Sequence, residues 1–429
     1  MALTKVTFSM IDGNIANAQD YGAVGDGVND DTTSIQAALD ASKNVYLPPT
    51  ANNYKITAPL SIPNNCNLFM NGANIVSTVA GIFRFPSGGV AAIHAARAVM
   101  QTDTNTAGAA ISIASGASSV TEAYIYGFPL IIQTNNIVND ASRGVDMSGF
   151  YRSYLEVKSY NFYHGIYADG DNGGTLATYY NVLMKPDVRC GNQGYAIRLT
   201  NLANATTIVS PFINGAGVGY GGISIEDTGA CNVLGGYLES FAASTSTFGI
   251  RLNNSDGTTV TGVALDQNAG DVTANYAIRL LGMSTGCSII NPQFAGSWND
   301  STRLLLNTAS GKNTFIGNGY TNAFVLGQAG TSIANEGVFA GQINSTTASG
   351  SVTYPSFTSF RANEGLLMST TVDGGSGASP YSSIFFGTGS PEGVYTARAG
   401  SIFMRRDGGA NTCFYVKESD VGNTGWVAK

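Results

Sequence analysis

The sequence predicts an all-β chain: a right-handed parallel β-helix, then a C-terminal antiparallel β domain, with one short capping helix near the N-terminus. Three observations carry this. The middle of the chain repeats with a nearly constant period. Each repeat holds short apolar segments parted by Gly and Asn, with no helical periodicity. Charged residues are sparse, 11% of 429, while Gly contributes 54, a composition for many tight turns rather than long helices.

The first element is DYGAVGDGVNDDTTSIQAALDAS at 20–42. Gly22, Gly25 and Gly27 make a turn-rich loop. Asp30 or Asp31 is expected to N-cap a helix that carries Ile35, Ala38 and Leu39 on one face. The loop is no phosphate cradle, because GxGxxG is absent and no strand feeds it. NVYLPPTANNYKIT then reads as strand, Pro turn, strand.

The repeats follow. YAIRLT, GGISIED, FGIRLNN and YAIRLLG align on Ile197, Ile223, Ile250 and Ile278, in steps of 26, 27 and 28 residues. HGIYADG, with Ile166, is an earlier member, and STRLLLN, with Leu304, a later one. After each comes a second apolar segment: TIVSPFIN, NVLGGYLE, TVTGVALD, SIINPQFA, TFIGNGYT. Short strands at this period are expected to form one coil per repeat, each stacked about 4.8 Å above the last. Near residue 330 the pattern gives way to a Gly/Ser/Thr-rich junction. Alternating strands follow in GLLMSTTV, SSIFFGTG, GSIFMRR and TCFYVKE. The expected divisions are an N-terminal peptide at 1–17, the β-helix at 18–328 and the C-terminal β domain at 329–429.

Composition also excludes some roles. A net charge of −7 argues against general binding of nucleic acid or anionic membrane. No run of eighteen apolar residues is present, so no membrane insertion is expected, and the start lacks a signal-peptide pattern. The five cysteines show no CxxC or metal-ligand spacing and are expected to be free buried thiols. With two histidines, His94 and His164, a His metal site or a Ser-His-Asp triad is poorly supported. No metal and no cofactor are expected.

The candidate chemistry comes from stacking the coils. Ile213, Leu238, Leu265 and Phe294 form one inward column. The outward column after it reads Asn214, Glu239, Asp266, Ala295, and the one before it Phe212, Tyr237, Ala264, Gln293. Glu239 and Asp266 are therefore expected one above the other, with Phe212 and Tyr237 beside them. Two stacked carboxylates repel, so one is expected to hold a proton. A protonated acid beside an ionised one suits glycosidic cleavage, and one coil of separation suits a retaining geometry. The competing reading is chance adjacency on a soluble surface. A second outward column holds Arg198, Arg251 and Arg279, which would grip a sugar carboxylate in bidentate fashion. A solvated face with local Arg–Glu pairs is the favoured alternative there. Glu226, Asp227, Asp169 and Asp171 are reserve acids. His164 reads as a satisfied core or turn histidine, Cys231 and Cys287 as a packing stack, and Trp426 as packing; Trp298 is a candidate sugar-binding surface.

Three stretches together resemble a family. The opening DYGAVGDGVNDDTTSIQAALDAS…VYLPP is similar to the start of the pectate-lyase-like β-helix domain of bacteriophage tailspikes. The coils with NFYHGIYADG and GGYLES resemble the middle of such spikes. The end, GSPEGVYTARAGSIFMRRDGGANTCFYVKESDVGNTGWVAK, is similar to a C-terminal stretch of phage tail fibres. The resemblance implies a homotrimeric spike on a virion tail that binds and cleaves a bacterial surface polysaccharide: capsule, O-antigen or exopolysaccharide. It implies virion attachment, to a tail or baseplate protein, through residues 1–17, and trimerisation or glycan binding by 329–429. Large spikes often begin with a sizeable anchoring domain. Here about seventeen residues precede the motif, so either the chain is shortened or it docks through a short peptide. A polysaccharide lyase on the same fold, or a tail fibre that binds glycan without cutting it, are the alternatives.

Overall fold

The computed structural model describes residues 15–135, 139–170, 177–189, 194–215, 221–239, 248–267, 276–296, 304–306, 313–316, 325–326, 338–340, 384–419 and 421–429. The chain divides into two compact units, Met1–Asn344 and Ser345–Lys429. Among the described residues no helix is long and apolar enough to cross a membrane.

The first unit is a parallel β-solenoid. Its strands form three sheets of 13, 11 and 10 strands, and neighbours within a sheet are, for nearly the whole length, three strands apart in the chain. Each coil thus gives one strand to each sheet. The 13-stranded sheet runs from Ala16–Asn17 to Val338–Ala340, so the ladder continues beyond residue 328. The expected division at 328/329, and residues 1–14 of the N-terminal peptide, lie outside the described residues.

Alternation along each strand builds the interior. Ile166, Ile197, Ile223, Ile250 and Ile278 are successive Cα partners and fully buried, with Leu304 next in register. Ile208, Val233, Val260 and Ile289 form a second buried column, and Ile213, Leu238 and Leu265 a third. Three apolar ladders at van der Waals contact supply the hydrophobic drive that short strands lack singly.

The corners explain the Gly/Asn punctuation. In five successive coils the residue after the 13-stranded sheet's strand is left-handed: Lys185, Ser210, Gly235, Gly262 and Asn291, with φ between 46° and 63°. Only glycine adopts this conformation without steric cost. Lys185 and Ser210 adopt it too, and their N–H groups donate to the neighbouring coil at Val209 O (2.8 Å) and Leu234 O (2.7 Å), as those of Gly235 and Gly262 do to Thr261 O and Ile290 O.

The helix is Thr32–Ala41, with Ile35, Ala38 and Leu39 buried as its spacing predicts. Its cap differs in detail from expectation. Asp31 occupies the N-cap position without a capping bond; its carboxylate turns back to accept from Val24 N (2.6 Å) and Gly25 N (3.1 Å) of the glycine loop. Asp30 instead accepts from Thr32 N (3.0 Å).

Among the described residues the second unit holds four strands, Ile384–Gly387, Ile402–Arg405, Phe414–Lys417 and Trp426–Ala428. The last two pairings are antiparallel, but Ile384–Gly387 runs parallel to Ile402–Arg405, because the connection crosses back before the second strand starts. Phe403, Tyr415 and Trp426 form its core, and Trp426 Nε1 donates to Tyr395 O at 2.8 Å. GLLMSTTV lies outside the described residues. Cys66, Cys231 and Cys287 are free and buried, as expected; Cys413 is free but exposed, since it ends a surface turn before the third strand, and Cys190 lies outside the described residues.

Candidate functional site

The outer face of the 10-stranded sheet carries the paired acids. Phe212–Asn214, Tyr237–Glu239 and Ala264–Gln267 are adjacent strands, with Phe212 opposite Tyr237, Asn214 opposite Glu239, and Glu239 opposite Asp266. Ile213, Leu238 and Leu265 point into the core, so the residues flanking them point out. The strand spacing sets the two acids about 4.8 Å apart at the backbone.

Each carboxylate has its own donor. Asn214 Nδ2 donates to Glu239 Oε1 at 2.9 Å, and Tyr237 Oη donates to Asp266 Oδ2 at 2.6 Å. The bond to Asp266, then burial and the charges of Asp266 and Glu239, push the Tyr237 phenol up to about 12. It therefore acts as a donor and not as a base at neutral pH. Phe212, 36% exposed, stacks on Tyr237 with ring centroids 6.2 Å apart and planes 11° from parallel. An apolar platform thus adjoins two half-buried carboxylates.

The same two outward columns continue toward the N-terminus, which the sequence reading did not follow. Lys158 stands opposite Asp187, and Asp187 opposite Phe212; Tyr160 stands opposite Arg189, and Arg189 opposite Asn214. Extending the coil alignment one repeat back, to KPDVRC, aligns Val188 with Ile213 and would have exposed this group.

The arginine column lies on another sheet and is differently used. Arg198 Nε is 3.4 Å from Glu226 Oε1 and its Nη1 3.2 Å from Asp140 Oδ1. Arg251 pairs with Glu226 and bonds Ser224 Oγ at 3.0 Å. Burial raises Glu226, but the Ser224 hydroxyl and the two guanidiniums outweigh it and hold the carboxyl below its usual range. Local Arg–Glu pairing is thus what the Arg198/Arg251 column displays. Arg279 stands opposite Arg251 in the next coil. Asp169 accepts from Asn201 Nδ2 at 3.3 Å and Asp227 from Asn254 Nδ2 at 2.8 Å, both on this sheet's side of the coil. Asp171 and Trp298 lie outside the described residues.

His164 is fully buried and satisfied on both nitrogens. Its Nε2 is 2.6 Å from Asp140 Oδ1, and its Nδ1 accepts from Tyr195 N at 3.1 Å. Its ring lies between Tyr167 and Tyr195, each 5.5 Å away. Asp140, drawn first by the His164 bond, is lowered to about 2. The sequence did not single out Asp140, which sits in a turn distant in the chain from both His164 and Arg198. Among the described residues no group of three or more His, Cys, Asp or Glu side chains is placed to hold a metal ion.

No family model matches the chain. A stretch of 73 residues, 15% of the chain, is 40% identical to the mannuronan C5-epimerase AlgE6 of Azotobacter vinelandii, and it spans 8% of that protein. Among solved structures, the Dettilon tailspike protein is similar at 14% identity and a TM-score of 0.49, over 73% of this chain and 68% of that one. The surface adhesin PfbA of Streptococcus pneumoniae is similar at 14% identity and a TM-score of 0.50, over 74% of this chain and 93% of that one. At that identity the likeness is one of fold: the chain shares its solenoid architecture with the pneumococcal adhesin.

Proposed function

We propose that the chain is a tailspike that binds a bacterial surface polysaccharide and hydrolyses its glycosidic bonds, with Glu239 and Asp266 as the two acids. The observation that carries the reading is the stacking of Glu239 on Asp266 beside the Phe212–Tyr237 platform. One carboxyl protonates the leaving oxygen; the other attacks the anomeric carbon or activates water. Phe212 and Tyr237 give sugar rings an apolar edge to lie against. Support also comes from the matched stretch of an enzyme named for mannuronan, and from the opening and closing motifs. In this reading the spike is a homotrimer on a phage tail, attached through residues 1–17, and acts at the host surface; residues 329–429 serve trimerisation or glycan binding.

Product analysis over a panel of purified bacterial polysaccharides tests it. Hydrolysis yields new reducing ends without an unsaturated uronate. The unsaturated product instead would identify a lyase, which abstracts the C5 proton. Undigested polymer retained by the protein would identify a binding fibre. That last reading has one observation of its own: Asn214 and Tyr237 already occupy both carboxylates as acceptors. For the hydrolase, Glu239→Gln and Asp266→Asn each lower turnover by orders of magnitude while glycan binding and melting temperature stay near wild type. Wild-type turnover in both variants would remove the pair from the mechanism.

A further inference from the structure

We propose that Lys158, Arg189 and Tyr160 form an anion-recognising subsite on the same outer face as Glu239 and Asp266, so that the polymer bound there carries carboxylates. The proposal rests on the reading that this face binds glycan, and goes beyond it in naming the substrate class.

The placement comes from register. Tyr160, Arg189, Asn214, Glu239 and Asp266 are successive Cα partners in one outward column; Lys158, Asp187, Phe212 and Tyr237 are successive partners in the other. Arg189 therefore stands two coils before Glu239, roughly 10 Å along the axis at one strand spacing per coil. A disaccharide spans such a distance, and the Phe212–Tyr237 stack lies between.

The local contacts hold Arg189 out toward solvent, while Lys158 is half-buried beside it. Tyr160 Oη donates to Asp187 Oδ2 at 2.7 Å, which ties down the nearest carboxylate. The Arg189 guanidinium lies over the Tyr160 ring, 4.6 Å from its centroid, and Arg189 is exposed. Among the described residues no carboxylate lies within ion-pair distance (4.0 Å) of Arg189 or Lys158, whereas Arg143, Arg198 and Arg251 all have one. Asp187 Oδ1 is buried and without a hydrogen-bond partner among the described residues, so the group is one donor short of satisfied, a place that a sugar hydroxyl can fill. A planar fork held on a ring, with an ammonium beside it, matches a sugar carboxylate in geometry and charge. Two cations stand here with the single Asp187 carboxylate, and a neutral sugar would leave that net positive charge unanswered. The face is polarised: cations lie at the Lys158–Arg189 end and two acids at the Glu239–Asp266 end. An acidic polymer laid along the axis would keep its carboxylate away from the acids that act on the linkage.

The test uses the full-length protein and affinity electrophoresis. Its probes are purified uronic-acid-containing capsular polysaccharides, the same polymers after chemical reduction of their carboxyls, and neutral polysaccharides. The expected result is retention by an acidic polymer and loss of retention on its reduced form. Arg189→Gln and Lys158→Gln should each weaken retention about tenfold, the scale of one charge-assisted bond, with Arg189→Lys in between and melting temperatures unchanged. Equal retention by native and reduced polymers, or by wild type and both variants, overturns the subsite while leaving glycan binding intact. Retention by no polymer of any kind overturns the glycan reading and the subsite with it.

Discussion

At the scale of single residues, hydrogen bonds decide what each charge can do. Tyr237 is the clearest case, since its ring stacks on Phe212 while its hydroxyl serves Asp266. Tyr237→Phe keeps the stack and removes the donor. Turnover on the identified glycan should fall about tenfold, as for loss of one bond to a charged group, with little change in melting temperature. The Asp140–His164 pair makes a prediction about stability. Asp140 is lowered to about 2 from an ordinary 3.8, so its stabilising contribution is complete above pH 4 and is lost as pH falls through about 2. Burial lowers His164 below its ordinary 6.5, though the Asp140 bond opposes this. The unfolded chain therefore takes up that proton first, and stability also declines as pH drops below about 6.5. Melting temperature measured from pH 7 to 2 should fall in both windows. Asp140→Asn should flatten the lower window, and an unchanged acid profile in that variant would show that other carboxylates set it.

At the scale of the element, the coil corner is the unit that repeats and the unit that can be broken. Gly236 (φ 96°) opens the strand that carries Glu239, and a Cβ there would meet Pro211 Cδ at 2.4 Å and Pro211 O at 2.5 Å. Gly262 (φ 62°) is also left-handed, but a Cβ there meets nothing within 4 Å. Gly262→Ala should therefore cost about 1 kcal/mol, the left-handed penalty alone. Gly236→Ala should lower the melting temperature by clearly more, because backbone must move as well. Equal effects would mean that the corner relaxes freely. In the interior, Ile223→Ala removes a rung of a fully buried ladder and should cost about 2–5 kcal/mol.

At the scale of the whole molecule, the second unit offers a direct test of the proposed homotrimer. Phe385, Phe403, Tyr415 and Trp426 cluster on one side of its sheet. The opposite side presents Ile384, Phe386, Ile402, Met404, Phe414, Val416 and Val427, with the Lys429–Glu418 ion pair at its end and with Phe386, Met404 and Val427 39%, 40% and 37% exposed. A largely apolar outer face on so small a unit asks for a partner. Sedimentation should give three times the 44.4 kDa chain mass at micromolar concentration, and Met404→Glu should shift it toward monomer. A wild-type monomer would end the trimer proposal.

The coil register was legible in the sequence because a strand has period two and each coil stacks on the last. Once Ile197, Ile223, Ile250 and Ile278 are aligned, every outward neighbour follows, and Glu239 over Asp266 follows with them. The short helix was legible for the same reason, from its buried spacing at Ile35, Ala38 and Leu39. What the pattern could not reveal are contacts that leave the column. Tyr237 reaches diagonally to Asp266, Tyr160 diagonally to Asp187, and Asp140 comes from a turn to join His164 and Arg198. Those choices depend on side-chain length, rotamer and burial in three dimensions, and they decide which charges are spent on neighbours and which face outward. Period and polarity determined where each side chain starts; only the tertiary structure decided where its polar end finishes, because a hydrogen bond depends on distance and angle and not on position in the chain.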